Sequence, residues 1–195
     1  RLLATYLTLF IRKKLKMKIT KEKFTDITET SFDGNTYESC DFSNLRVDYE
    51  VLSKVKFIDC NFSNANFTDG GLHDCHFKNC NLIGTSLVNC TLKNVSILSW
   101  LRSYLNFGNS ILEKTQFIDS NLKEMRLVNN RLRNTTFNTC NMSKLTLSDT
   151  PLRGIDLSTC DISGMIFKPS DVVGCQVSAN QAVEMIKNFG VIVKF

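Results

Sequence analysis

The side chains with the richest chemistry in this sequence are eight cysteines and two histidines, and four of them crowd together as His73, Cys75, His76 and Cys80. Thiolates and imidazoles at such spacings are what tetrahedral zinc requires, provided that all four converge on one point. A second set is acidic. Residues 24–53 hold seven carboxylates, among them Asp33, Glu38, Asp41 and Asp48, against Arg46 alone, a net of −6. Such a patch can stand in for DNA phosphates against a basic partner, or it can simply keep one end of the molecule solvated. A third set lies in Ser99–Asn106, where Trp100, Arg102 and Tyr104 are of the residue types that anchor protein interfaces.

Whether any of these sets converges depends on the elements that carry them, and here the pattern is unusual. Every fifth position from Ile27 to Phe167 is apolar, with Arg102 as the exception: 28 of 29 positions, with no insertion or deletion. A period of five fits neither an α-helix nor a strand. It reads as a short extended segment plus a corner. Four such sides close a square coil of about 20 residues, and coils stacked at about 4.8 Å can bond backbone to backbone. Each side then sends two residues inward, the large central one and the residue two places before it. All eight cysteines (Cys40, Cys60, Cys75, Cys80, Cys90, Cys140, Cys160 and Cys175) fall at that second inward position. A thiol there acts as a small hydrophobe.

This geometry decides the chemistry. It sends Cys75 and Cys80 inward but His73 and His76 outward, so they do not form a zinc site. No nucleophile–base pair, carboxylate dyad or phosphate-binding loop survives the same test, which argues against an enzyme and against a small-molecule substrate, metal or cofactor. Interior cysteines without paired spacings point to a reducing cytoplasm rather than a disulfide framework.

Arg102 at a central inward position and Trp100 in a slot that elsewhere takes Cys, Ser or Thr cannot both be packed in such a core. The backbone is therefore expected to bulge or project over residues 98–106 and to resume at Phe107 or Leu112. Beyond Pro169, Ser178 and Gln181 form a capping-box pattern, followed by an apolar helical face and a tail. Met185, Ile186, Phe189, Val191 and Ile192 exceed what a small cap need bury, and are the candidate residues of a homodimer interface.

The formal charge of +5 comes entirely from residues 1–16, since the rest holds 19 basic and 19 acidic residues. A globally basic nucleic-acid binder is not indicated. Residues 1–16 combine an apolar run with a following basic cluster. The run is too short for a membrane span and has the wrong charge order for a signal peptide. They are read as a tag or non-native extension. Residues 17–168 form the repeat and residues 169–195 the cap or dimerisation module.

The repeat units Cys40-Asp41-Phe42, Cys60-Asn61-Phe62, Cys80-Asn81-Leu82, Ser120-Asn121-Leu122 and Cys160-Asp161-Ile162 resemble the pentapeptide-repeat family. That resemblance implies an all-β, right-handed quadrilateral β-helix. The segments Ser148–Ser158, Val177–Ala182 and Phe189–Val191 are similar to the C-terminal end of the Qnr quinolone-resistance branch, and the unbroken register looks like its loop-poor, Gram-positive type. This implies a C-terminal homodimer that binds DNA gyrase or topoisomerase IV as a DNA mimic. The second reading is a scaffold for some other protein, with no topoisomerase contact.

Overall fold

The computed structural model describes residues 16–26, 32–99 and 105–194. They build a parallel β-solenoid from three-residue strands, each a central residue with its two neighbours. A seven-stranded sheet runs in the order β1 (Lys18–Thr20), β2 (Thr36–Glu38), β4 (Lys56–Ile58), β6 (His76–Lys78), β9 (Ser96–Leu98), β12 (Gln116–Ile118) and β15 (Thr136–Asn138). The third side of the square is a four-stranded sheet of β7 (Ser86–Val88), β10 (Asn106–Gly108), β13 (Arg126–Val128) and β16 (Thr146–Ser148). The fourth is a five-stranded sheet of β3 (Val51–Ser53), β5 (Gly71–His73), β8 (Thr91–Lys93), β11 (Ile111–Glu113) and β14 (Arg131–Arg133). The remaining side is made of turns joined by single bridges, Asp41 to Asn61 to Asn81 and Asn121 to Asn141 to Asp161.

From β2 onward the strand pairs are offset by 20 residues, as in Tyr37 with Phe57 and Phe57 with Phe77. The first coil differs. Ile19 pairs with Tyr37 and Lys23 with Asp41, so this coil is two residues shorter. In consequence Phe24, off the five-residue count, stacks on Phe42 with ring centroids 4.7 Å apart. Ile27, where that count begins, lies outside the described residues. At the other end, Leu157 N–H donates to the Gln176 carbonyl, so coil-type bonding runs to residue 176. The five-stranded sheet stops earlier because Pro151, at the next donor position, has no N–H.

The corners have their own chemistry. The residue two places after most central ones takes a left-handed backbone, φ 57° at Asn64, 59° at Asp69 and 55° at Asn79. Asn, Asp and Gly tolerate that region best, which is why they recur there. Larger side chains also take it, among them Lys54, Lys114 and Tyr49, the last with φ 64° and exposed.

Inside, the central residues form continuous columns. Phe42 stacks on Phe62 at 4.7 Å and Phe57 on Phe77 at 5.0 Å. The second inward position has a physical rule of its own. Its side chain donates to the carbonyl of the central residue 23 places earlier: Thr85 to Phe62 at 2.8 Å, Ser110 to Leu87 at 2.8 Å, Thr135 to Leu112 at 2.9 Å. Cys60, Cys75, Cys80 and Cys140 make the weaker thiol version toward Tyr37, Leu52, Phe57 and Phe117. A small donor suits this slot because it fills little volume and also satisfies a buried acceptor.

Candidate interaction surfaces

Seven cysteines are buried and Cys175, at the open end of the last coil, is half-buried; none is in a disulfide. Burial pushes the thiols of Cys75 and Cys90 up to about 11. Cys80 is likewise pushed up, by donating to the Cys60 sulfur and by burial. His76 is exposed on its strand, its Nδ1 2.6 Å from Ser96 Oγ. Among the described residues no three His, Cys, Asp or Glu side chains converge on a metal position. Nor is any helix among them long and apolar enough to cross a membrane.

The acidic set is dispersed over the first two coils, and each member has a local partner. Asp33 Oδ1 accepts the Ser53 N–H at 2.9 Å. Glu38 pairs with Lys18 on the neighbouring strand. Asp41 accepts from Ser43 N and Asn61 Nδ2, both at 3.0 Å, and lies 3.5 Å from Lys23. The hydrogen bonds from Ser43 hold its carboxyl below the usual range. Asp48 Oδ2 receives two bonds from Arg46, at 2.9 and 2.8 Å, while its Oδ1 is buried without a partner.

Other acids serve as the first acceptors of amide ladders. Asn79 donates to Asp59 at 3.0 Å, Asn89 to Asp69 at 2.8 Å and Asn94 to Asp74 at 2.7 Å, each bond joining residues one coil apart. Much of the acidity that the sequence shows is thus engaged in holding coils together.

Trp100, Arg102 and Tyr104 lie outside the described residues. Their flanks are ordinary: β9 ends at Leu98, Leu105 is buried, and Asn106 pairs with both Ser86 and Arg126 at the 20-residue offset. Repeat pairing therefore resumes by Asn106.

At the C-terminal end the helix α1 (Ala179–Ile186) begins with the capping box expected of Ser178 and Gln181. Gln181 does more than the sequence pattern promised. Its Nε2 donates to the carbonyls of Leu157, at 2.8 Å, and Cys160, at 2.6 Å, fastening the helix to the last full coil. Asn188 Nδ2 adds a bond to the Met165 carbonyl at 3.2 Å, and Phe189 meets Phe167 edge-on at 6.2 Å. A pocket of about 110 Å³ remains between helix and coil, lined by Ile162, Met165, Phe167 and Met185 among others. Met185 packs partly against the core, whereas Ile186, Phe189, Val191 and Ile192 are exposed, Ile192 at 84%. Ile166 and Val173 extend the same exposed apolar inventory, and sequence reading missed them. The signal for Ile166 was available, since it stands in an outward slot filled by polar residues at Asn106, Arg126 and Thr146.

This is the architecture of a pentapeptide-repeat solenoid, and residues 50–127 match the family model described as a pentapeptide repeat region. Among solved structures the chain is similar to a trypsin-treated variant of QnrB1, described as a plasmid-mediated fluoroquinolone resistance protein. The identity is 18%, over 92% of this chain and 99% of that one, with a TM-score of 0.44. It is also similar to HetL of the cyanobacterium Nostoc sp. strain PCC 7120, described as involved in regulating heterocyst differentiation, at 15% identity over 88% of this chain and 92% of that one, TM-score 0.31. A pentapeptide repeat protein from the Arabidopsis thaliana thylakoid lumen matches at 16% identity over 56% and 66%, TM-score 0.28. These likenesses are ones of fold. No curated protein matches the sequence.

Proposed function

We propose that this protein is a non-enzymatic, cytoplasmic rod that binds a type II topoisomerase, DNA gyrase or topoisomerase IV, and protects it from fluoroquinolones. The observation that carries the reading is the C-terminal module. The start of its helix, anchored through Gln181, and the Phe189–Val191 stretch of its tail lie in the segments that resemble the Qnr C-terminal end, and the module leaves Ile186, Phe189, Val191 and Ile192 exposed. Two copies joined through that face would make one long saddle. The test is gyrase supercoiling titrated with ciprofloxacin, with and without the protein. Protection would raise the drug concentration needed for half inhibition; an unchanged curve together with no gyrase co-purification would overturn the proposal.

The pairing of Glu38, Asp41 and Asp48 with Lys18, Lys23 and Arg46 favours a second reading, a scaffold for a different protein partner. A duplex mimic needs its carboxylates free to meet a basic surface, and these are already partly neutralised.

A further inference from the structure

The five-stranded sheet carries the densest charge on the rod that folding itself does not use. Lys93 ends β8, Lys114 follows β11, Arg131 and Arg133 flank the centre of β14, and Arg153 comes 20 residues after Arg133. All five are exposed. Lys93, Glu113 and Arg133 are register partners on adjacent strands, so they form one outward column with a single acid inside it. The other residues of these four five-residue units add no charge, which leaves a net of five minus one, or +4. Among the described residues none of the five cations has a carboxylate within 4.0 Å, although six ion pairs form elsewhere. Glu113 separates Lys93 from Arg133, but Arg133 and Arg153 stand one coil apart, at about 4.8 Å, and Arg131 shares the strand of Arg133, so like charges repel at that end and a partner of opposite charge relieves the repulsion.

We infer that this face is a docking surface for an extended acidic segment of a protein partner. From Lys93 to Arg153 is three coil spacings, about 14 Å, a distance that an extended peptide covers in about five residues. Laid along the coil axis, such a peptide passes Lys93 and then Arg133 and Arg153, with Lys114 and Arg131 flanking that line. Arginine's fork holds a carboxylate with two parallel bonds, which a lysine cannot do. Nucleic acid fits less well. The strip matches only about four base pairs of duplex, and its outward positions carry no aromatic side chain on which single-stranded bases could stack. The inference stands whether or not the partner is a topoisomerase.

The test is fluorescence anisotropy of a labelled dodeca-glutamate peptide, with a labelled 12-base-pair duplex as the second probe. Replacing Arg131, Arg133 and Arg153 together with Glu should weaken peptide binding by about ten-fold or more, and added salt should weaken the unmodified protein. Lys21, Lys56 and Lys78, exposed along the seven-stranded sheet and changed together to Glu, make the same alteration in net charge on another side, and should shift affinity by no more than about two-fold. The triple Arg→Gln variant, which keeps length and polarity, carries the test should the Glu variant fail to fold. No peptide binding, equal losses in the two Glu variants, or a duplex bound as tightly as the peptide would each overturn the inference.

Discussion

Phe117 is the residue whose removal tests the stacked interior most severely. It is fully buried in β12, lies flat on Phe137 with centroids 5.0 Å apart, and meets Phe107 edge-on at 6.2 Å. Phe→Ala in a closed core costs about 3–5 kcal/mol from lost transfer and the cavity left behind. The upper half of that range is expected here. The coils above and below are tied to β12 through β9 and β15, so the walls cannot fall into the space. With a urea m-value of about 2 kcal/mol/M, the unfolding midpoint should drop by about 2 M. Gln116→Ala, one residue away but exposed, should change stability by less than about 0.5 kcal/mol. Phe117→Leu should lose only about 1 kcal/mol, because Ile97 and Leu157 stand in equivalent places of the same repeat. Circular dichroism during urea unfolding reads all three. Midpoints for Phe117→Ala and Gln116→Ala that coincide would refute the columnar core.

The cysteine interior makes a pH prediction. Burial raises the Cys75 thiol from 9.0 to about 11, so its contribution is whole below pH 9 and is lost as pH rises toward 11, where the unfolded chain ionises first. Cys75→Val, which copies Val55 and Val95 in its own column, should remove on the order of 2 kcal/mol of that alkaline loss; an unchanged pH profile would contradict it. The C-terminal face makes another. Phe189→Asp with Ile192→Asp places charges in any two-fold contact twice over, so light scattering should show a dimer for the parent and a monomer for the variant; a monomeric parent would leave the helix as a cap.

The pentapeptide pattern made most of the fold legible, because a period of five admits one packing solution and each column then follows by adding 20. The capping box was equally plain, since its two residues satisfy each other locally. What escaped was whatever depends on partners a coil away. The two-residue shortening that sets Phe24 on Phe42 is invisible to a count that begins at Ile27. The pairing of Glu38 with Lys18 and of Asp59 with Asn79 could not be read from charge totals, which see seven acids in residues 24–53 and no cations from the preceding coil. The corner conformation was also missed, although the Asn, Asp and Gly two places after many central residues were its signature.

These ladders change how charge on such a rod should be interpreted. In a solenoid an outward side chain has neighbours at fixed positions one coil before and one coil after it, so an acid can be consumed by an amide or a cation directly along the axis. Asp41, Asp59, Asp69 and Asp74 are each engaged in that way. Their replacement would loosen the stack as well as remove charge, and a loss of binding could not be assigned to charge alone. Arg131, Arg133 and Arg153 have no carboxylate within ion-pairing distance among the described residues and occupy outward positions, so replacing them should leave the interior columns untouched. Net charge by region is therefore a poor guide to where a partner binds on this rod. The better guide is charge left over after the ladders are complete, and by that measure the five-stranded face inferred above to dock a partner is basic.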